Sequence, residues 1–261
     1  MSRRRRATVT VDDHLRRTLE ASLAGAGDAL AAADQLCSAC VELLEVDGAA
    51  ISLTYQGTTH GTYGSSGELS RHLDELQFTL GEGPCLEATA QRRPVLVADL
   101  TDPDEHRWPV FAAAVLDAGV RAVFAIPSTV AASQVGVLDL FRKAAGPLSA
   151  DELSGGILAA QLAALPLLDL LNANSTWDEV AAETEGVSRL ASLERVEVYQ
   201  ATGMLMAQLD VGATEALVRL RAHAFAEGTS ASEVAWAIVE RRLTLEPDDA
   251  WGADGVEGRP R

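Results

Sequence analysis

Between Leu193 and Leu245 the apolar residues recur at helical spacing, yet alanine is the commonest of them. Leu193, Val196, Ala201, Met204, Leu205 and Leu209 mark one helix, with Gly212 expected as the left-handed residue that ends it. Ala213, Ala216, Leu217, Leu220 and Ala224 mark a second, in an i, i+3, i+4, i+7 series with only two large members. Ser230 and Glu233 form an S-x-x-E capping box that opens a third, continued by Val234, Ala235, Ile238, Val239 and Leu243. Three such stripes carry too little apolar bulk for an independent core, so the segment is expected to be a small helical unit built to meet a partner. Small residues at Ala201, Gly203, Ala216, Ala224 and Ala235 are expected at the helix crossings, where they let backbones approach closely. Arg219, Arg221, Arg241 and Arg242 are left to project outward or along the rim.

The preceding residues follow a different pattern. Helical runs are expected over 12–23 and 29–45, and Asp47-Gly48 then turns the chain into a strand from Ala49 to Tyr55. Gln56-Gly57 returns it as a hairpin through His60 to Ser65. A charged helix over Glu68–Gln77 leads through Phe78-Thr79-Leu80 into the turn Gly81-Glu82-Gly83-Pro84-Cys85, with a short helix to Ala90. Pro94–Ala98 is a short strand and Trp108–Ala118 a helix. Gly119–Pro127 and Gln134–Phe141 are strands, and a long helix runs from Ala150 to about Leu171. Strands and helices in this order predict an antiparallel sheet with helices on its faces. Asn172-Ala173-Asn174-Ser175 breaks the pattern, so the boundaries expected are a basic segment with a short helix at 1–27, a sheet domain at 28–172, a linker helix at 173–192, a helical domain at 193–245 and an acidic, disordered tail at 246–261.

Charge narrows the partners. The net charge is −17, concentrated in the middle of the chain, while the segment 187–245 balances six arginines against seven acids. General affinity for nucleic acid is therefore low, and any contact with it must be local. No apolar run reaches the roughly 20 residues a membrane span needs, and the arginines at 3–6 are followed by charged residues rather than an apolar stretch. A cytoplasmic protein is expected, and an odd count of three cysteines agrees with a reducing compartment.

Two family resemblances follow from the residues. Tyr199-Gln200-Ala201-Thr202-Gly203-Met204-Leu205-Met206, then Glu215-Ala216, Leu220-Arg221, Ala224, Val234-Ala235 and Ile238-Val239, resemble the ANTAR domain. The resemblance implies a three-helix, RNA-binding output module acting in transcription antitermination by stabilising paired hairpins that exclude a terminator. Where that family carries a lysine before the glycine, this chain has Thr202. Leu80 to Cys85, with Arg93-Pro94-Val95, Asp99-Leu100, Ala118 to Ala122, Ile126-Pro127 and Gly136 to Leu140, resemble a GAF domain. That resemblance implies an α+β sensor domain with about six antiparallel strands, used for small-ligand, redox or light sensing or for dimerisation.

The expected function is thus a signal-responsive regulator that binds RNA hairpin loops. Contacts are assigned first to Arg219 and Arg221, then to Thr202, His223 and Arg242. A homodimer is expected because antitermination of this kind pairs two hairpins. A small-molecule ligand or an upstream signalling protein is expected as the input. No catalytic activity, metal or evident cofactor is expected. Lys143 is the single lysine, which leaves no kinase machinery. His14, His60, His72, His106 and His223 lack metal-ligand spacing. Cys37 and Cys40 read as small buried hydrophobes, and Cys85 sits at a helix start, where a thiol pKa can fall. Two competing readings are a sensor or protein-interaction module whose C-terminal helices do not bind RNA, and a redox enzyme built on Cys37 and Cys40.

Overall fold

Side-chain alternation along four long strands builds the first part of the molecule, and short alanine-rich helices build the second. The computed structural model describes residues 14–24, 26–55, 58–130, 133–173 and 195–246. The chain divides into two compact units, Met1–Glu194 and Arg195–Arg261. Residues 1–13 of the expected basic segment, nearly all of the expected linker helix and the tail after Glu246 lie outside the described residues.

The first unit runs α1 (14–24), α2 (Ala29–Leu43), β1 (Gly48–Tyr55), β2 (Thr58–Ser65), α3 (Glu68–Leu80), α4 (Pro84–Gln91), β3 (Val95–Val97), α5 (Pro109–Asp117), β4 (Ala122–Val130), β5 (Ser133–Arg142) and α6 (Ala150–Ala173). Among the described residues its strands form one antiparallel sheet in the order β2-β1-β5-β4-β3, five strands where the resemblance implies about six. Because successive strand side chains point to opposite faces, the sheet makes two cores. Ala49, Ile51 and Leu53 of β1, Phe124 and Ile126 of β4, and Leu138 and Leu140 of β5 pack with α1, α2 and α6. Ala50, Val123, Ala125, Val137 and Phe141 turn the other way, toward Leu73 of α3, Cys85 and Ala88 of α4, and Phe111 and Val115 of α5.

Local chemistry sets where these elements begin and how closely they pack. Asp28 caps α2 by accepting the Ala31 N–H at 2.7 Å. The Tyr63 hydroxyl donates to the Ala29 carbonyl at 3.0 Å. On β2, Gly64 lets α2 lie directly on the strand, since a Cβ there would come within 2.6 Å of the Ala33 Cβ and 2.7 Å of its carbonyl carbon. Arg142, at the end of β5, ion-pairs with Glu152 of α6 at 2.5 Å and donates to the carbonyls of Leu44 and Glu45. It thereby ties the ends of α2, β5 and α6 together. One expectation changes: Phe78-Thr79-Leu80 is the last turn of α3 rather than a connection, because Phe78 lies on the buried side of the helix.

The described residues of the second unit form α7 (Val196–Leu209), α8 (Ala213–Glu227) and α9 (Ala231–Val239). Its buried apolar side chains are Val198, Ala201, Leu205, Ala216, Leu220, Ala224, Ala231, Val234, Ala235, Ile238 and Leu245. The capping box is present, with Ser230 accepting the Glu233 N–H at 3.1 Å and Glu233 accepting the Ser230 N–H at 3.0 Å. Two details correct the sequence reading. The left-handed residue ending α7 is Asp210, with φ 54°, and Gly212 instead caps the start of α8 with φ −74°. Aspartate tolerates the left-handed region better than most side chains, so the chain reverses earlier than the glycine suggests. The buried stripe of α7 also passes through Val198 rather than Val196 and Met204, which are half-buried.

Candidate functional site

A buried polar cluster lies beneath α3 and α4. Ser52 of β1 and its cross-strand neighbour Thr62 of β2 face Asp74 of α3. Both hydroxyls donate to the Asp74 carboxylate, Ser52 to Oδ1 and Thr62 to Oδ2 at 2.5 Å. One turn further along α3, Gln77 Oε1 accepts the Cys85 N–H at 2.7 Å, satisfying a free N–H in the first turn of α4. Gly83, with φ 139°, leaves room for that contact, because a Cβ there would lie 2.6 Å from Gln77 Oε1. Cys85 Sγ donates to Ser52 Oγ at 3.4 Å, and Asp139 Oδ2 of β5 lies 3.4 Å from the same oxygen. One ligand atom from each of Asp74, Cys85 and Asp139 falls within 4.8 Å of the others.

The electrostatics of the cluster are strained. Burial, and next the neighbouring Asp74 charge, push the Asp139 carboxyl well above the usual carboxylate range. Burial, followed by the charges of Asp139 and Asp74, pushes the Cys85 thiol up as well. This reverses the sequence reading of Cys85, since desolvation and two acidic neighbours outweigh the helix start. Asp139 Oδ1 and Gln77 Nε2 complete no hydrogen bond of ordinary geometry among the described residues, although the Gln77 side chain lies close enough to Asp139 to favour its charged form, and such groups are costly to bury incompletely paired. Cys37 and Cys40 are fully buried in the opposite core, where burial raises both thiols, Cys40 to about 12. That is the environment of inert core cysteines rather than of reactive ones.

The structure separates the RNA-contact residues expected from sequence. Arg219 and His223 are one turn apart on a flank of α8 and half-buried, and Arg219 ion-pairs with Glu215 at 2.7 Å. Arg221 is two positions, or about 200°, around the helix from Arg219, so the two arginines flank the buried Ala216–Leu220–Ala224 stripe from opposite sides. Arg242 is exposed and paired with Glu240 at 2.6 Å. Thr202 is a correction: it is buried, and its hydroxyl donates to the Val198 carbonyl at 2.6 Å, which removes it from any surface contact. Of the expected packing residues, Ala201, Ala216, Ala224 and Ala235 are fully buried. Gly203 is exposed, with nothing near its Cα on the side a Cβ would occupy, so it is no crossing point within this unit.

Sequence reasoning passed over the aromatic residues. Tyr199, Phe225 and Trp236 are 56%, 60% and 48% exposed, and they are all the aromatic residues in the described part of the second unit. Aromatic side chains ordinarily dominate a core. Here the core is aliphatic and the rings face outward.

A helix-layered antiparallel sheet followed in sequence by a small helical unit is a two-domain architecture. The chain belongs to the GAF domain family, whose model matches residues 26–165, and the ANTAR domain follows at residues 189–239. Together they are the architecture of a regulator with an RNA-binding output domain. No curated protein matches the chain. Among solved structures, the chain is similar to the GAF domain of a phosphoenolpyruvate-protein phosphotransferase from Coxiella burnetii, with a TM-score of 0.50 and 16% identity over 62% of this chain and 95% of that one. The GAF domain of the Acinetobacter phosphoenolpyruvate-protein phosphotransferase gives 0.50 and 15% over 64% and 98%. A free methionine-R-sulfoxide reductase from Neisseria meningitidis gives 0.46 and 16% over 61% and 89%. At these identities the likeness is one of fold. Both matched families are regulatory, and among the described residues no helix is long and apolar enough to cross a membrane.

Proposed function

We propose that the chain is a signal-responsive transcription regulator that binds RNA hairpin loops through its second unit and promotes antitermination under control of the first. The observation that carries this reading is the outward placement of Tyr199, Phe225 and Trp236 in a unit that also carries Arg219, Arg221, His223 and Arg242. Unstacked loop bases are recognised by stacking on aromatic and guanidinium planes, while arginines meet the phosphates. Each base–ring stack contributes about 1–3 kcal/mol. The ion pairs of Arg219 with Glu215 and of Arg242 with Glu240 do not block this role, because solvent-exposed pairs contribute only about 0–1 kcal/mol and a phosphate can replace the carboxylate. A homodimer supplies two output domains to one RNA. The groove between α1 and α6, lined by Leu15, Arg16, Ser154, Ile157, Leu158 and Gln161, offers the contact.

Ultraviolet crosslinking of the full-length chain followed by RNA sequencing tests the proposal. Stem-loops upstream of terminators are expected, with recovery lost in Tyr199→Ala, Phe225→Ala and Trp236→Ala, and recovery without hairpin enrichment would contradict it. A second reading, a protein-interaction module without RNA affinity, is favoured by the buried Thr202 and the intramolecular arginine pairs. Filter binding across salt separates the two. Two or three phosphate contacts give a log–log slope of about −1.4 to −2.1, whereas the second reading gives no salt-dependent retention of RNA.

A further inference from the structure

We infer that Asp74, Cys85 and Asp139 are the protein ligands of a single divalent transition-metal ion of borderline softness, of the Zn²⁺, Fe²⁺ or Co²⁺ class, held inside the first unit. Three elements converge there: α3 supplies Asp74, the first turn of α4 supplies Cys85 and the middle of β5 supplies Asp139, and their ligand atoms lie within 4.8 Å of one another. Bonds of about 2.3 Å to a thiolate and about 2.0–2.2 Å to a carboxylate oxygen place tetrahedral ligand atoms roughly 3.5 Å apart. Side-chain shifts of about 1 Å therefore close the set around one ion.

A cluster of acids alone would not make this case; the polar atoms around it do. Asp139 is 1% exposed and its Oδ1 completes no hydrogen bond of ordinary geometry. Gln77, which is not one of the ligands, is equally buried, is anchored to the Cys85 N–H through Oε1, and turns toward Asp139 an Nε2 that likewise completes none. An ion bound to Asp139 Oδ1 satisfies the first of these atoms. A ligating carboxylate whose other oxygen accepts from Gln77 Nε2 satisfies the second, which is the usual way outer groups orient metal ligands. The remaining support is already in place, since Asp74 is held by the Ser52 and Thr62 hydroxyls and Cys85 is fixed at the head of α4 by Gln77. Two carboxyls and a thiol brought together out of water disfavour one another's charged forms, and a central cation favours those forms by displacing the protons. The donor set selects the metal class: a sulfur ligand disfavours Mg²⁺ and Ca²⁺, which take oxygen alone, while mixed sulfur and oxygen suit the borderline ions. Three protein ligands leave a fourth position for the Ser52 hydroxyl, water or a small ligand.

The site is independent of whether the second unit binds RNA, so failure of either proposal leaves the other intact. The test is titration of the full-length, chelator-treated protein with Co²⁺. One ion per chain is expected, with a thiolate-to-cobalt charge-transfer band that Zn²⁺ abolishes by displacement and Mg²⁺ does not. Cys85→Ser is expected to lose the charge-transfer band, and a Cys37→Ala/Cys40→Ala double variant to keep it. Asp139→Asn is expected to bind Co²⁺ at least tenfold more weakly while its thermal transition in chelator is not lowered, which separates a metal ligand from a structural acid. Absence of the band in the parent protein, its persistence in Cys85→Ser, or undiminished binding by Asp139→Asn would overturn the assignment.

Discussion

On the side of the sheet that meets α1, α2 and α6, the strands present Ala49, Ile51, Leu53, Phe124, Ile126, Leu138 and Leu140, all apolar and all buried. On the side that meets α3 and α4, the same strands place Ser52 and Asp139 among their apolar neighbours, beside Thr62 of β2 and beneath Asp74 and Cys85. Both sides are shielded from water, so exposure does not explain the contrast. Desolvating polar groups that end up incompletely paired works against stability. One side of the sheet is accordingly arranged to hold the fold, and the other gives up part of that stability to hold chemistry.

The contrast yields graded expectations. Leu138→Ala, at the centre of the apolar side, is expected to cost about 2–5 kcal/mol in denaturant unfolding, and a loss under 1 kcal/mol would mean that this side is not the structural one. Glu152→Gln removes the carboxylate that pairs with Arg142 and is expected to cost about 1.5–3 kcal/mol at neutral pH. Burial raises the Glu152 pKa, but the Ser149 N–H and hydroxyl and the Arg142 guanidinium outweigh it and hold the carboxyl below its ordinary value of 4.5. Its contribution is therefore present above pH 4.5 and is lost as pH falls through the lower folded value. Unfolding curves of parent and variant should converge in acid, and a gap independent of pH would contradict the pairing. Gly64→Ala is expected to cost about 1–3 kcal/mol, because the added methyl meets the Ala33 backbone. Asp139→Asn, on the polar side, is expected to leave chelated protein at pH 7 as stable as the parent or slightly more so, since it removes an acid that burial disfavours. A loss as large as that of Leu138→Ala would erase the distinction between the sides. At the outer surface, Ile157→Asp in the α1–α6 groove is expected to convert the proposed dimer to monomer in sedimentation without altering the unfolding midpoint, and an unchanged mass would contradict a contact in this groove.

The sheet was legible in the sequence because strand and turn chemistry agree: β1 and β2 flank Gln56-Gly57, and Gly81 to Gly83 separates α3 from α4. The capping box of α9 was equally legible, since Ser230 and Glu233 act locally. The polar cluster was not. Ser52 and Thr62 are ordinary strand residues, and Asp139 between Leu138 and Leu140 reads as the solvent-facing position of an alternating strand. Only a sheet covered on both sides turns it into a buried acid, and an aspartate within such a strand is the signal that could have exposed it. In the second unit, one shift of phase along α7 put Val198 and Thr202 inside, and Tyr199, Phe225 and Trp236 lie outside the apolar series that the helical spacing picks out.

Hydrogen–deuterium exchange of the full-length chain, with and without Co²⁺, tests most directly whether the two sides of the sheet have separate roles. Slowed exchange confined to α3, the head of α4 and the facing stretches of β1 and β5, with α2 and α6 unchanged, is the predicted result. Protection centred on α2 and α6, or no change in either layer, would contradict it.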